Sequence, residues 1–449
     1  MRRFRFHQLR LLSLLPLVAC LALAQAPAPL PLSLKRAVEI AASPDGNTRV
    51  ALTQESIAQA EQKVIQARSA LLPNLDTSIQ DRRQTTNLQA FGFSFSIPIP
   101  GFSIPAISGP FSVLDTRATA QQSVFNLSDR QKLKASRASL TAVKLDLDST
   151  KTQISDEVAH DYLACLRTDA VRDTARANIE LSQALLDLAK RAQAAGTGTG
   201  IEITRAQVQL SSDKQRLIKA DNDRARAVLV LLKAMGIALD SPVEFTTKLD
   251  EKGAEVSTAE TLLKQARAQR PELKTQQQRE EVARLNYGAV KAERLPTLGA
   301  QADYGAIGSD VISSRATYTM GVSLKIPVFD GFRRQARREE SLSQIKQEQL
   351  RSKDLGQQVE LQVRLALENF NSAQTEVETT REGLALAENE LAQARRRYEA
   401  GVATSLEVTD AQTRLQRARD NQVVALYDYN VARLDLATAT GTIGDYINQ

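Results

Sequence analysis

The chain has 449 residues, which is enough for two or more domains, and it contains no tryptophan and only 4% aromatic side chains. Alanine, glutamine, leucine, arginine and glutamate are abundant, which favours long helices and coiled coils. Much of the formal charge of +6 comes from arginines within the first ten residues, where no acidic residue occurs. The rest of the chain is close to neutral, and we therefore exclude nucleic acid as a partner.

The N-terminal leader predicts export of the protein. A basic start is followed by an apolar run from Leu11 to Ala24, which is too short to span a bilayer comfortably. Ala22-Leu23-Ala24 has the small-x-small form of a signal peptidase site, and we predict a signal peptide over residues 1–24. A second interpretation stays open, because Leu17-Val18-Ala19-Cys20 resembles a lipobox in which Cys20 would be acylated after cleavage.

Residues with catalytic or metal-binding chemistry are scarce after the leader. Cysteine and histidine occur there once each, as Cys165 and His160. One residue of each type excludes a disulfide framework, a zinc site and a Ser-His-Asp arrangement. No nucleophile–base pair or phosphate-binding loop is present either. We predict that the protein is not an enzyme and that it binds no cofactor and no metal.

The predicted elements come in the same order in each half of the chain. The first half has helices over about 34–42 and 47–72, strands over about 75–83 and 113–125, and long helices over about 129–195 and 201–235. The second half has helices over about 258–268 and 272–294, strands over about 297–305 and 315–328, and long helices over about 332–400 and 405–440. This repetition predicts two duplicated repeats, over 25–250 and 251–443, with a C-terminal tail over 444–449.

The junction between the two long helices carries the same short pattern in each repeat, GTGTGIEITR at 196–205 and GVATSLEVTD at 401–410. Each copy has a glycine, a threonine three residues later and an acidic residue three residues after that: Gly196, Thr199 and Glu202, and Gly401, Thr404 and Glu407. Glycine permits the left-handed backbone that ends a helix, threonine caps the next helix, and the carboxylate suits its positive end. We therefore predict two antiparallel helical hairpins with these turns at their tips.

The long helix of the second repeat carries a heptad pattern. Apolar or small residues recur in alternating steps of four and three from Val359 to Tyr398, which predicts side-by-side helix packing along the whole length. A simple two-stranded coiled coil explains this pattern equally well. It does not explain the strands.

The strands of the second repeat alternate between apolar and polar residues. In TYTMGVSLKIPVF at 317–329, apolar residues occupy every second position for about ten residues, the length at which a tilted strand crosses a bilayer. A half-buried hairpin of a water-soluble protein is the alternative for any single strand pair. Four strands cannot close a membrane barrel, and open sheet edges are prohibitive in lipid. A barrel would therefore require several chains, and three copies would supply about twelve strands.

Together, these features resemble those of the TolC-like outer membrane efflux protein family, over about residues 31–443. The resemblance rests on Leu-Pro at each helix-to-strand junction, Val-Phe-Asn or Val-Phe-Asp after each second strand, and RRRYEAGVATSLEVTDAQ at 395–412. It implies a mainly α fold, in which two repeats form long antiparallel hairpins of a trimeric α-barrel. Four transmembrane strands from each chain would complete a trimeric 12-stranded β-barrel.

The same resemblance implies the function and the partners. The protein would be a homotrimer in the cell outer membrane, in contact with outer membrane lipid, with its helical part in the periplasm. It would be the passive exit duct of a tripartite efflux pump or of a type I secretion system. Its partners would be a periplasmic adaptor (membrane fusion) protein and an inner-membrane transporter of RND, ABC or MFS type.

By resemblance, Glu407 and Asp410 fall at the acidic rings of a closed periplasmic gate, and Tyr398 and Glu202 fall at its latch. Ala403 stands where the best-known members have a basic latch residue, so the ion pair of those members is not expected here. The alternative function is a periplasmic coiled-coil adaptor or structural protein without a membrane barrel. Adaptors normally carry a lipoyl-like or β-barrel domain beside one helical hairpin, whereas this chain has two predicted hairpins.

Overall fold

The computed structural model describes residues 30–44, 46–92, 105–251 and 258–448. The predicted signal peptide and Cys20 lie outside these residues. The helices are α1 (Leu34–Ala41), α2 (Thr48–Ser69), α3 (Leu127–Ala194), α4 (Gly200–Met235), α5 (Ala259–Gln269), α6 (Pro271–Ala292), α7 (Arg333–Glu399), α8 (Ser405–Thr440) and α9 (Ile443–Ile447). The strands are β1 (Leu30–Leu32), β2 (Asn74–Asn87), β3 (Ile107–Phe125), β4 (Val243–Phe245), β5 (Thr297–Gly308) and β6 (Arg315–Lys325).

The two longest helices have sequence features that fix their ends. Helix α3 has 68 residues, or about 100 Å at 1.5 Å per residue. It begins after Asn126, whose side chain accepts a hydrogen bond from the backbone N–H of Asp129 at 3.3 Å. Helix α7 has 67 residues, and both helices end one residue before an alanine that is followed by glycine. Of the helices described, none is long and apolar enough to cross a membrane.

One antiparallel sheet contains strands from both repeats in the order β2-β3-β5-β6. The register aligns Leu75, Ala120, Ala302 and Met320 in one row across the four strands. The next row is polar and contains Asp76, Thr119, Asp303 and Thr319. Because neighbouring residues of a strand point to opposite faces, the sheet has one apolar and one polar face. Strands β2 and β6 are its free edges within one chain.

The helices continue the order of the strands that they join. Near the sheet, α2 packs on α3, α3 packs on α6, and α6 packs on α7. Towards the hairpin tips, α4 packs on α3, α3 packs on α8, and α8 packs on α7. At each level four helices therefore stand side by side, with α7 at one edge and α2 or α4 at the other.

The predicted heptad pattern of α7 forms the buried face of the second hairpin. Phe370 is fully buried, and its ring lies 5.5 Å from that of Tyr429 of α8. Most of the predicted positions are buried against neighbouring helices, among them Val359, Val363, Ala366, Ala373, Val377, Ala387, Leu391 and Ala394. The alanines among these positions allow α7 and α8 to pack closely side by side, as the heptad pattern predicts.

A larger core lies midway along the helices, where α1, α3, α4, α8 and α9 meet. Tyr162 of α3 lies at the centre of this core and is 1% exposed. Its hydroxyl donates a hydrogen bond to the carbonyl oxygen of Leu32 at 2.9 Å. The Tyr162 ring also makes an edge contact with Phe245, at 5.4 Å between ring centroids. Cys165 is buried in the same core, and burial raises the pKa of its thiol to about 12. This thiol packs as an apolar side chain and is shielded from thiol reagents.

Several boundaries differ from the sequence predictions. The hairpin of β2 and β3 is longer than predicted, because backbone pairing continues past a bulge to Asn87 and Ile107 even though the alternation of side chains fades there. Strand β6 ends at Lys325 rather than at 328, since Pro327 has no N–H to donate. The parallel pair of β1 and β4 was not predicted, and three-residue strands leave little periodicity to detect. Helix α9 extends into the predicted tail over 444–449.

Phe370→Ala is expected to lower the free energy of unfolding by about 3–5 kcal/mol, because a fully buried ring leaves a cavity between α7 and α8. Thermal unfolding of the purified protein, followed by circular dichroism, measures the effect. Glu378→Ala on the exposed face of the same helix is the control and should change the stability by less than about 0.5 kcal/mol. Equal effects of the two substitutions would contradict the described packing.

Candidate functional site

The two repeated turns have nearly identical backbone geometry. Gly196 and Gly401 have φ values of 76° and 72°, in the left-handed region predicted for them. In the first turn, the N–H of Thr197 donates to the carbonyl oxygen of Ala192 at 3.0 Å. In the second, the N–H of Val402 donates to the carbonyl oxygen of Arg397 at 3.0 Å. Each long helix thus ends in a Schellman motif that reverses the chain.

The two threonines that follow these turns cap their helices differently. Thr199 and Thr404 both have the extended backbone of an N-cap residue. The backbone N–H of Thr199 donates to the carboxylate of Glu202 at 3.2 Å, as in a capping box. Thr404 occupies the N-cap position of α8, but its side chain makes no capping hydrogen bond. Its partner residue Glu407 turns instead towards α7.

The tips of the two hairpins touch through Tyr398 and Glu202. The Tyr398 hydroxyl, at the end of α7, donates a hydrogen bond to Oε2 of Glu202, at the start of α4, at 3.2 Å. Burial and the adjacent Glu202 carboxylate raise the pKa of Tyr398, which keeps the hydroxyl protonated as a donor. The structure therefore brings together two residues that are 196 positions apart and that the family resemblance assigns to the same latch.

The acidic residues at the start of α8 differ from each other in their surroundings. Arg397 of α7 forms an ion pair with Glu407, with 2.9 Å between Nε and Oε1. Asp410 is exposed, and none of the described residues forms an ion pair with it. The sequence reasoning missed Arg397, because it looked for a basic residue at Ala403. The run Arg395-Arg396-Arg397 is the sequence signal that could have drawn attention to it.

Further from the hairpin tips, a polar network joins α3, α4 and α8. Asp213 of α4 is 1% exposed and accepts hydrogen bonds from Ser182 of α3, at 2.5 Å, and from Gln416 of α8, at 3.0 Å. The sequence reasoning did not single out these residues. Polar residues are common in long helices, and only the packing shows which of them face one another. Among the described residues, no cluster of His, Cys, Asp and Glu side chains is suited to hold a metal.

Nearer the sheet, His160 links α3 to α8. Its Nε2 lies 3.1 Å from a carboxylate oxygen of Asp435 on α8 and 3.7 Å from one of Asp156 on its own helix. Thr438 of α8 donates to Asp156 at 2.7 Å. The hydrogen bond to Asp435, with the nearby carboxylates of Asp156 and Asp161, raises the pKa of His160 in spite of its partial burial.

His160→Gln is expected to lower the melting temperature more at about pH 5.5 than at about pH 9. A group whose pKa is raised on folding stabilises the fold below its unfolded pKa, and this contribution disappears as the pH rises through the folded pKa. Thermal unfolding of both proteins at the two pH values gives the difference. A loss that is the same at both pH values would show that the imidazolium does not stabilise the α3–α8 contact.

The fold is similar to that of solved outer membrane channels. The chain matches the crystal structure of the Campylobacter jejuni CmeC outer membrane channel with a TM-score of 0.76 at 15% sequence identity, over 91% of this chain and 86% of that one. The model of the outer membrane efflux protein family matches residues 46–237 and 262–442. The chain belongs to this family.

Two curated relatives are pyoverdine export outer membrane proteins called OpmQ. The one from Pseudomonas aeruginosa is 23% identical over 87% of this chain and 79% of its own length. The one from Pseudomonas putida is 26% identical over 69% of this chain, and the match covers 64% of that relative. The family consists of outer membrane channels, which are not enzymes. The predictions of family, outer-membrane location, lack of enzymatic activity and a mainly α fold with long antiparallel hairpins are therefore confirmed.

Proposed function

We propose that three copies of this chain form a passive exit duct through the outer membrane and the periplasm for an efflux or type I secretion system. The observation that carries the proposal is the four-stranded sheet with two free edges and one exposed apolar face. On that face Leu75, Ile79, Tyr304, Tyr318, Met320, Val322 and Leu324 are each 62 to 74% exposed in the single chain. Apolar exposure on this scale marks a surface that lipid or protein covers.

The edges of the sheet support closure with further copies. Free N–H and C=O groups on β2 and β6 cannot remain unpaired in lipid, so the sheet must close. Each neighbouring pair is antiparallel, and four strands per chain is an even number. Strand β6 of one copy therefore meets β2 of the next with antiparallel polarity, whatever the number of copies. Three copies would supply twelve strands, with the polar face lining the lumen.

The helical part would close in the same way. Helix α7 stands at one edge, with Leu361, Leu365 and Leu386 more than half exposed. At the other edge of the tip region, α4 exposes Ile201, Val208 and Ile218 to a similar degree. Because neighbouring helices alternate in direction, α7 of one copy would run antiparallel to α4 and α2 of the next. These exposed apolar residues would then be buried between copies.

The hairpin tips would form the periplasmic gate. Tyr398 and Glu202 would hold the two hairpins of one chain together, and three chains would bring their Glu407 and Asp410 carboxylates around a common axis. Carboxylate rings favour cations. Each Glu407 is paired with Arg397, so Asp410 would carry most of the uncompensated charge of the entrance.

The remaining assignments extend this proposal. The repeats over 25–250 and 251–443 would each supply one hairpin and two strands, after removal of residues 1–24. Cleavage before Cys20, with acylation of that residue, stays the alternative. A periplasmic adaptor and an inner-membrane transporter of RND, ABC or MFS type would dock on the tips and supply energy and cargo selection.

Reconstitution into planar bilayers tests the proposed conduit. Protein extracted from outer membranes should insert as a low-conductance, mostly closed channel with a preference for cations. Membrane fractionation of the same cells should place the protein in the outer membrane as a trimer that survives SDS without boiling. Protein that extracts as a soluble or inner-membrane monomer and gives no channels would contradict the proposal.

A further inference from the structure

A buried carboxylate without a cationic partner lies between the two hairpins. Asp213 of α4 is 1% exposed, and no lysine, arginine or histidine forms an ion pair with it in the described part of the chain. Buried carboxylates are rare unless they are paired, because the loss of hydration is costly.

Hydrogen-bond donors from all three helices surround Asp213. Ser182 of α3 donates to Oδ2 at 2.5 Å, Gln416 of α8 donates to Oδ1 at 3.0 Å, and Gln209 of α4 donates to Oδ1 at 3.2 Å. Gln412, one turn before Gln416 on α8, donates to the hydroxyl oxygen of Ser182 at 2.6 Å. Ser182, Gln412 and Gln416 are each at most 5% exposed. Two consecutive turns of α8 are thus bonded to the first hairpin through one carboxylate and one hydroxyl.

This network lies close to the latch at the tip. Helix α8 begins at Ser405, so Gln412 is about 10 Å along its axis. A cavity of about 40 Å³ separates the two features. Its lining includes Gln209 and Gln412 of the network and Glu202 and Tyr398 of the contact at the tip. The network and the Tyr398–Glu202 contact therefore occupy the same crevice between the hairpins.

The crevice differs in chemistry from the interior of the second hairpin. Near the tip, α7 and α8 pack through apolar residues, namely Ala387, Leu391, Ala394, Val408, Ala411 and Leu415. Parting α7 from α8 would expose apolar surface. The contact of α8 with the first hairpin is mixed, because Leu181 and Leu185 of α3 also pack against this apolar cluster. Parting α8 from α3 and α4 would therefore expose some apolar surface, but it would also expose Asp213, which water hydrates well. The second hairpin is thus suited to move as one body, and the seam between α8 and the first hairpin, which contains the polar network, is where it can separate.

We propose that Asp213 is the positioning residue that holds α8, and with it Glu407 and Asp410, against the first hairpin in the closed entrance. This inference rests on the proposed channel function. In the closed state Gln416 and Ser182 supply the donors that replace the hydration of Asp213. In the open state water replaces Gln416, so the carboxylate is satisfied in both states and the seam can part reversibly.

Asp213→Asn tests this role with almost no change of shape. The NH₂ group of the new amide would face either the Ser182 hydroxyl or the Gln416 amide, both of which donate to Asp213. The side chain therefore accepts fewer hydrogen bonds, and the closed state is weakened. In planar bilayers the ratio of open to closed channels should rise about tenfold. Asp223→Asn, an exposed position on the same helix, is the matched control and should behave as the unmodified protein does.

The double variant Asp213→Asn with Gln416→Glu separates positioning from general damage. The amide of residue 213 can then donate to the carboxylate at 416, and the ratio of open to closed channels should return towards its original value. Gln416→Ala and Gln412→Ala remove donors on α8 without altering α4, and both should also favour opening. These two variants test the same role if the Asp213→Asn protein fails to assemble.

Assembled Asp213→Asn channels that open no more often than Asp223→Asn channels would overturn the proposal. The same holds for the two glutamine variants if they leave opening unchanged. Failure of the unmodified protein to form channels is a different result, because it would contradict the proposed function itself.

Discussion

Met320→Arg is expected to abolish assembly in the outer membrane, whereas Thr319→Arg should leave it intact. Met320 lies on the apolar face of the sheet, in the middle of strand β6, and is 74% exposed in the single chain. An arginine facing lipid at the bilayer midplane costs about 2–4 kcal/mol, and three copies would carry it. Thr319 belongs to the polar row opposite Asp303, which already pairs with Arg117, so an arginine at 319 would face water on the polar side of the sheet.

The measurement is the amount of heat-modifiable trimer in outer-membrane fractions from cells that express each variant at the same level. Two adjacent residues of one strand receive the same side chain, so strand propensity and position are matched. Equal loss of trimer from both variants would show that the two faces have the same surroundings. That result is incompatible with lipid on one side and a lumen on the other.

Removal of the acidic groups at the entrance should have the second large effect. Glu407→Ala combined with Asp410→Ala is expected to raise the single-channel conductance and to reduce the preference for cations, since up to six carboxylates would leave the proposed gate of a trimer. Single-channel recordings in planar bilayers with a salt gradient give both quantities. Unchanged conductance and unchanged reversal potential would remove these residues from the gate.

The ion pair between Arg397 and Glu407 sharpens this prediction. Asp410→Asn alone should reduce the cation preference more than Glu407→Gln alone, because the Glu407 charge is already balanced. Arg397→Gln should increase the preference by freeing that carboxylate. Arg396→Gln is the matched control: the neighbouring side chain is exposed and forms no ion pair with the described residues. Identical reversal potentials for the two arginine variants would contradict the role given to the pair.

Those parts of the fold that follow from periodicity were predictable from the sequence. The heptad positions of α7, such as Phe370, are buried because their spacing leaves them on one face of the helix. The alternation of apolar and polar residues around Met320 likewise predicted which residues lie on each face of the sheet. The two turns were predictable because each has a glycine directly after a long helical stretch. The clearest case is Gly196, which follows a stretch from Asp129 to Ala195 that contains no glycine or proline.

Contacts between helices that are distant in sequence were not predictable. Asp213 and Gln416 look like ordinary exposed residues of a polar helix, and only the packing of α8 on α3 and α4 buries them. Arg397 was missed because the choice of a partner for Glu407 depends on side-chain reach across the turn. The contact between Tyr398 and Glu202 was expected only through a resemblance, since no local pattern connects two residues that belong to different repeats.

The molar mass of the protein extracted in detergent from outer membranes tests the central claim most directly. Light scattering with correction for bound detergent should give three chains per particle, because one chain leaves both β2 and β6 unpaired. A particle that contains a single chain, stable and with its sheet edges open, would contradict the proposal that several copies close one wall.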